Sequence, residues 1–416
     1  MRFPSVLIAG GGPAGACLAS LLARQGVAVT LVEASRRFDR QFRGQGLMPS
    51  GVEALAAMGL WPLPAAIPQR PLRGWSFVLD RRELFTVTEP MGSPWPCTLI
   101  EPGALLRHLL TQLADHAQVR LLMGRSIVGL EEREGAICGV ELSDGQRLET
   151  GLVVACDGRN SVLRQLAGLP LATAASAIDV LWFRLPESAG GEIGTWLDDR
   201  FVTLLGRGGS CALFRRADGG VQLGWVIDAA SSEAPSPAQS QHAAARWPQR
   251  WADLAPAPLA ELLGQLAPGA IRGPVRLPVR VGLAPCWQRP GLLLLGDAAH
   301  PMSPVRAQGL NMALRDAVVA AGHLAPLLAD GARSTPPRPA ALAAALRRIE
   351  TERLPELQAV QALQYREGQR GELLRQNHSL RALLAATAPL SGPLLARRWR
   401  SEQRILRQGI TRLKRP

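Results

Sequence analysis

The sequence predicts an α/β fold: a sheet-forming domain that is discontinuous along the chain, a β-rich second unit, and a helical C-terminal extension. Three observations carry this. The chain opens on strand, glycine turn, helix and strand. Two more apolar strands, ending in Asp157-Gly158 and Gly296-Asp297, come far downstream, and β-rich runs lie between them. With 416 residues the chain can bury a substantial core, and its length suggests two or three domains or one large discontinuous unit.

In order, residues 5–9 read as a strand, 14–25 as a helix and 28–33 as a second strand, which is a βαβ start. The N-terminal stretch superficially resembles a signal peptide, but its glycine cluster argues against one. In LIEPGALLRHLLTQLADHA the apolar positions 105, 106, 109, 110 and 113 form one helical stripe, expected to pack on the sheet. From Val119 short runs alternate with the turns EREG and SDGQ, and an antiparallel ribbon is expected. The runs IDVLWFRL, RFVTLLG, SCALFRR and VQLGWVID predict a mostly antiparallel second sheet, whose register the sequence does not fix. A polar loop at 228–241 leads to a helical region at 242–266, where Trp247 and Trp251 lie four apart and read as core. PGLLLLGD resumes the first domain, a helix follows at NMALRDAVVAAGHLAPLLAD, and GARSTPPRPA precedes the helical tail.

Charge is concentrated in that tail. Residues 331–416 hold 17 Arg or Lys against 6 Glu, a net +11 of the chain's +13. Leu395, Trp399, Leu406, Ile410 and Leu413 fall on one stripe, with Arg397, Arg400, Arg404 and Arg407 mostly elsewhere. Such a basic amphipathic helix either lies on an anionic membrane or packs on the protein body. No nucleic-acid partner is expected. No apolar run reaches the roughly 18 to 20 residues of a membrane span. The six cysteines show no paired spacing, which suits reduced thiols in a cytoplasmic protein, and the histidines show no metal-ligand spacing. P-loop and GxSxG motifs are absent.

Gly10, Gly12 and Gly15 form GxGxxG between predicted strand and helix. The first permits the turn, the second lets a pyrophosphate approach, and the third lets the helix pack closely. Glu33 ends the second strand, where a carboxylate can accept from a ribose diol. Asp157 and Gly296-Asp297 end the later strands, and strand ends are where open α/β sheets bind ligands. PVRAQGLN then leads into a helix N-terminus, which favours negative charge.

These three motifs, over roughly residues 5–325, resemble the FAD-dependent aromatic hydroxylases, the para-hydroxybenzoate-hydroxylase-like class A flavoprotein monooxygenases that include the ubiquinone-biosynthesis hydroxylases. The resemblance implies a Rossmann-like FAD domain at 1–70, 97–170 and 275–330, a substrate domain at 71–96 and 171–274, and an extension at 331–416. It implies that Gly10, Gly12, Gly15 and Glu33 hold the ADP half of FAD, with Arg43 reaching the cofactor. Asp157 would lie near the pyrophosphate, Asp297, after Gly296, on the ribityl chain, and Pro304, Gly309, Leu310 and Asn311 along the isoalloxazine ring. The implied reaction uses NADPH or NADH as transient cosubstrate. A flavin hydroperoxide formed with O2 then hydroxylates or epoxidises an aromatic, quinonoid or polyketide-like small molecule. A flavin dehydrogenase or reductase without oxygen insertion, and a non-catalytic redox sensor, are the alternatives. A flavin halogenase is disfavoured, because the sole lysine is Lys414 and WxWxIP is absent.

Three departures from the family pattern stand out. Pro102 replaces a frequent polar residue, the single tyrosine is Tyr365 in the tail, and Arg306 stands where glycine is usual. For Arg306 two readings are open: contact with an anionic flavin or substrate, or a structural ion pair. His300 is a second candidate for catalysis, against a structural role.

Overall fold

In the computed structural model, which describes residues 6–37, 45–174, 178–229, 245–329, 339–410 and 412–414, a six-stranded sheet forms the first layer. Its order is Gln288–Arg289, Leu292–Leu294, Val153–Ala155, Val6–Ala9, Val29–Glu33, Val119–Met123, all parallel except the Gln288–Arg289 edge. Val6–Ala9, Val153–Ala155 and Leu292–Leu294 are buried along their whole length, as unbroken apolar runs covered on both faces must be. Helices Pro13–Arg24, Pro102–Ala114 and Gln308–Leu328 bury their apolar stripes in the core of this layer. The first two carry proline in the first turn, where its missing N–H has no helical partner to lose.

The expected ribbon after Val119 is smaller than the turn pattern suggests. Only Ile127–Arg133, Ala136–Leu142 and Arg147–Glu149 form an antiparallel sheet, while Val119–Met123 and Val153–Ala155 join the parallel one. Fully apolar ends such as LVVA are strands with two covered faces, not hairpin arms.

The second layer is a seven-stranded sheet in the order Arg272–Leu277, Ile178–Leu185, Val221–Asp228, Gly209–Arg215, Arg200–Gly206, Gly74–Leu79, Arg82–Thr88. It is antiparallel except between Arg200–Gly206 and Gly74–Leu79. Alternation divides its faces. Phe183, Leu185, Leu204, Leu213, Leu223 and Trp225 pack with Trp247 and Trp251 in a second core, and Trp182, Arg184, Phe201, Phe214 and Gln222 face the first layer. Trp247 and Trp251 are both fully buried, as expected of core residues. The helix Glu187–Leu197 is unmarked in the sequence, since three glycines lower its propensity. Packing overrides propensity there: a Cβ on Gly190 would come within 3.1 Å of Val221 Cγ2.

The tail is not one amphipathic helix. Pro339–Gln376, His378–Glu402 and Arg404–Gln408 are separate helices, and Gly409 at φ +71° turns the chain after the last. Leu342, Leu346, Ile349, Leu357, Val360 and Leu406 enter the main core, and Trp399 enters an aromatic cluster with Trp75. Of the expected stripe, Ile410 is half exposed.

Candidate functional site

A cavity of about 1320 Å³ runs between the two sheets. Gly10, Gly12 and Glu33 line it beside the first turn, Asp157, Gly296 and Asp297 beside the later strand ends, Pro304, Arg306, Gly309 and Leu310 along the following loop and helix, and Phe201 and Arg184 on the second sheet.

At the first turn, Gly10 follows the strand Val6–Ala9 at φ +98°, and a Cβ there would lie 2.4 Å from Cys156 O. A Cβ on Gly15 would lie 1.9 Å from Gly10 O, so the helix can sit against the turn only with glycine there. Gly12 differs: a Cβ would meet nothing within 4 Å. Its helix has no side-chain cap, so the free N–H groups at its start are suited to an anion. Glu33 accepts from Gly11 N at 2.8 Å and Ser35 N at 2.7 Å, which fixes its carboxylate beside the turn.

Asp157 is a scaffold as well as a lining residue. Its Oδ1 accepts from Ser161 Oγ at 2.5 Å and its Oδ2 from Leu163 N at 3.0 Å, capping the helix Val162–Leu166. Arg164 Nη1 donates to Ala298 O at 2.8 Å and ties this turn to the Gly296-Asp297 turn. The Asp297 side chain is 32 % exposed on the cavity wall, with Arg159 at 3.9 Å. Its protein surroundings raise its pKa by desolvation, and Arg159 and His300 oppose that rise.

His300 is fully buried and does not line the cavity. Its Nε2 lies 2.6 Å from Asp316 Oδ2, which also accepts from Gly296 N at 3.0 Å, and Arg353 Nε donates to Asp316 Oδ1 at 2.8 Å. His300 and Arg353 hold the Asp316 carboxyl down at about 2 against the desolvation that would raise it. Asn311 is also fully buried and outside the lining. It accepts from Met48 N at 2.8 Å and donates to Gly46 O and Ala307 O, joining the Gly46–Leu47 strand to the loop.

Arg306 and Ala307 adopt φ of +59° and +50°, two consecutive non-glycine residues in the left-handed region. The Arg306 guanidinium lies 5.3 Å from the Trp75 and Phe77 rings and 4.9 Å from that of Trp399, and Nε donates to Glu367 Oε2 at 2.8 Å. Gln364 donates to Ser303 O and Val305 O, and Gln361 to Gly282 O. One face of the helix Pro339–Gln376 thus holds the loop and the Val281–Leu283 strand. Sequence reading missed this contribution, although Gln361, Gln364 and Glu367 recur at the helical spacing of three.

Pro102 lines the cavity at the start of its helix, whereas Tyr365 is exposed and does not. Arg43 lies outside the described residues. Among the described residues no cluster of His, Cys, Asp and Glu is suited to a metal, and the cysteines are free.

Residues 4–336 match the family model described as FAD binding domain. This chain belongs to that family. The flavoprotein is 34% identical to 6-methylpretetramide 4-monooxygenase of Streptomyces rimosus, over 86% of this chain and 83% of the relative. It is 28% identical to 3-demethoxyubiquinol 3-hydroxylase of Escherichia coli, over 75% and 77% of the two chains. Among solved structures, Klebsiella pneumoniae HpxO complexed with FAD and uric acid matches with a TM-score of 0.72 at 20% identity, covering 97% of each chain. At that identity the match speaks for the fold. The flavoprotein is an FAD-dependent oxidoreductase of the monooxygenase and hydroxylase kind.

Proposed function

We propose that the flavoprotein uses NAD(P)H and O2 to hydroxylate or epoxidise an aromatic, quinonoid or polyketide-like molecule in the cavity between its two sheets. One observation carries this reading. The cavity is continuous from the Gly10–Gly15 turn to the aromatic face of the second sheet, and its 1320 Å³ exceeds the roughly 300–1,000 Å³ of a single-ligand pocket. It has room for a dinucleotide and a substrate side by side.

The residues fit FAD. The uncapped helix start at Gly12 would take the pyrophosphate, Glu33 the ribose hydroxyls and Asp297 the ribityl hydroxyls. Pro304, Gly309 and Leu310 would line the isoalloxazine ring, with Asn311 behind them as the clamp on their loop. When bound, FAD takes hydride from the nicotinamide and activates oxygen. The protein's part is to orient the substrate against the ring and keep water out, which the Trp75, Phe201 and Phe214 wall supports. His300 acts through Asp316 to hold the Gly296 turn, and Arg306 acts through its loop.

The test is oxygen incorporation. Protein purified with FAD should oxidise NADPH or NADH and place one atom of isotopically labelled O2 in a polycyclic phenol product. Turnover that leaves every product free of label would establish the dehydrogenase reading instead. Protein that takes up no FAD would refute both.

The relatives' names favour polyketide and quinone substrates, and a lipophilic substrate suits a protein that touches a membrane. The outer face of His378–Glu402 exposes Leu383, Leu390 and Leu394 beside the exposed Arg397 and Arg398. That face supports peripheral contact with anionic lipid. Sedimentation with phosphatidylglycerol vesicles at low salt should pull down the protein, and Leu390→Asp should release it. Equal sedimentation of both proteins, or none of either, refutes the contact.

A further inference from the structure

One row of side chains crosses the cavity face of the seven-stranded sheet. Arg272 pairs with Arg184, Arg184 with Gln222, and Gln222 with Phe214 in strand register. Phe214 stacks on Phe201 at 5.3 Å, and Phe201 is the register partner of Trp75, with ring centroids 4.9 Å apart. All six line the cavity. The row is therefore aromatic at one end and cationic at the other, with one amide between. From Trp75 to Arg184 it crosses four strand spacings, about 19 Å at roughly 4.8 Å each.

The cationic end is undercompensated. Arg216 also lines the cavity there and pairs with Asp218, and Glu101 attracts both Arg184 and Arg216, but neither Arg184 nor Arg272 forms an ion pair among the described residues. Desolvation, then the positive field of Arg184 with that of Arg272, pushes the Arg216 pKa down to about 10 against the pull of Glu101. An anion placed between these guanidiniums would relieve that repulsion and accept several charge-assisted hydrogen bonds. The aromatic end lies under the 303–307 loop, because the Arg306 guanidinium sits 5.3 Å from the Trp75 ring. A molecule spanning the row would put its ring system beside that loop and its charge at the far end.

We infer that the cavity selects an elongated, planar polycyclic substrate carrying an acidic group, a carboxylate or an enolate, at the end remote from the flavin loop, with Arg184, Arg216 and Arg272 as the anion subsite. This rests on the reading of the cavity as the substrate site of an FAD enzyme. It adds a requirement on the substrate that the cofactor does not impose. A single-ring acid reaches only one end of the row, and a neutral polycycle leaves the guanidiniums unrelieved.

Binding to the FAD-loaded protein tests it, followed by tryptophan quenching and by perturbation of the flavin absorbance. The probes are anthracene-2-carboxylate, its methyl ester and benzoate. The acid should bind at least about tenfold tighter than the ester or benzoate, as a charge-assisted contact requires. Arg184→Gln should weaken the acid at least about tenfold while leaving the ester within about twofold. Arg272→Gln, at the exposed rim, should act in the same direction and decides the matter if Arg184→Gln fails to fold. Equal affinities for acid and ester, a benzoate that matches the tricyclic acid, failure of all three to bind, or variants that weaken acid and ester alike would overturn the inference. FAD content and NAD(P)H oxidation measured on the same preparations separate the two levels. A loaded, NAD(P)H-oxidising protein without acid selectivity rejects the subsite alone, and a protein without FAD rejects the reading beneath it.

Discussion

Arg306 marks how far a single residue can be read from sequence. A long cation in a loop of small residues is visible as an anomaly, but its partners Glu367 and Trp399 lie in the tail, and nothing local points to them. Two adjacent left-handed residues carry roughly 1–3 kcal/mol of strain each, which only an over-determined surrounding can hold. The aromatic cage and the ion pair, whose side chains are 10% and 12% exposed, supply that surrounding. Arg306→Ala should therefore lower stability by about 2 kcal/mol or more in urea unfolding, because it leaves Glu367 nearly buried without its cation. FAD affinity should fall with it as the loop relaxes. A variant of unchanged stability that loses only flavin reduction would return Arg306 to direct contact with the ring.

At the scale of elements, strands with unambiguous patterns were legible, and the exceptions have physical causes. Val6–Ala9, Val29–Glu33 and Leu292–Leu294 lie within a residue or two of their apolar runs, since a doubly covered strand has no polar face to blur it. Glu187–Leu197 was hidden because Gly190, Gly191 and Gly194 argue against a helix locally. The same residue type has opposite meanings at different positions. Gly191 faces open space, so Gly191→Ala should stabilise the protein by about 0.5–1 kcal/mol in thermal unfolding. In the Gly15→Ala variant the new methyl would sit 1.9 Å from a backbone carbonyl, so it should lose at least about 2 kcal/mol and most of its FAD. If the two variants shift stability in the same direction, the contrast between open and closed glycines is wrong.

Across the whole molecule, the concentration of positive charge in the tail reads in sequence as a surface property, yet the structure uses three of its arginines internally. Arg353, Arg381 and Arg407 are almost fully buried and pair with Asp316 and Glu356, with Asp80, and with Glu89. Which arginine meets which carboxylate is a long-range fact that periodicity within the tail does not contain. The centre of this docking is Asp316, which holds the Gly296 turn and His300 on one side and the tail's Arg353 on the other. Its folded pKa, lowered to about 2 from 3.8, means that it adds about 2 kcal/mol at neutral pH. Because the folded value is depressed, that contribution is complete above the unfolded carboxylate pKa and disappears as pH falls from about 4 through about 2. Urea midpoints measured across that range should drop more steeply for the wild type than for Asp316→Asn. At neutral pH the variant should be less stable by about 3–5 kcal/mol, since among the described residues Arg353 then keeps one carboxylate, that of Glu356. Parallel pH profiles for the two proteins would mean that the acid-sensitive link between the tail and the Gly296 turn lies elsewhere, with Glu356 the next carboxylate to replace, since Arg353 and Arg315 also hold its pKa down.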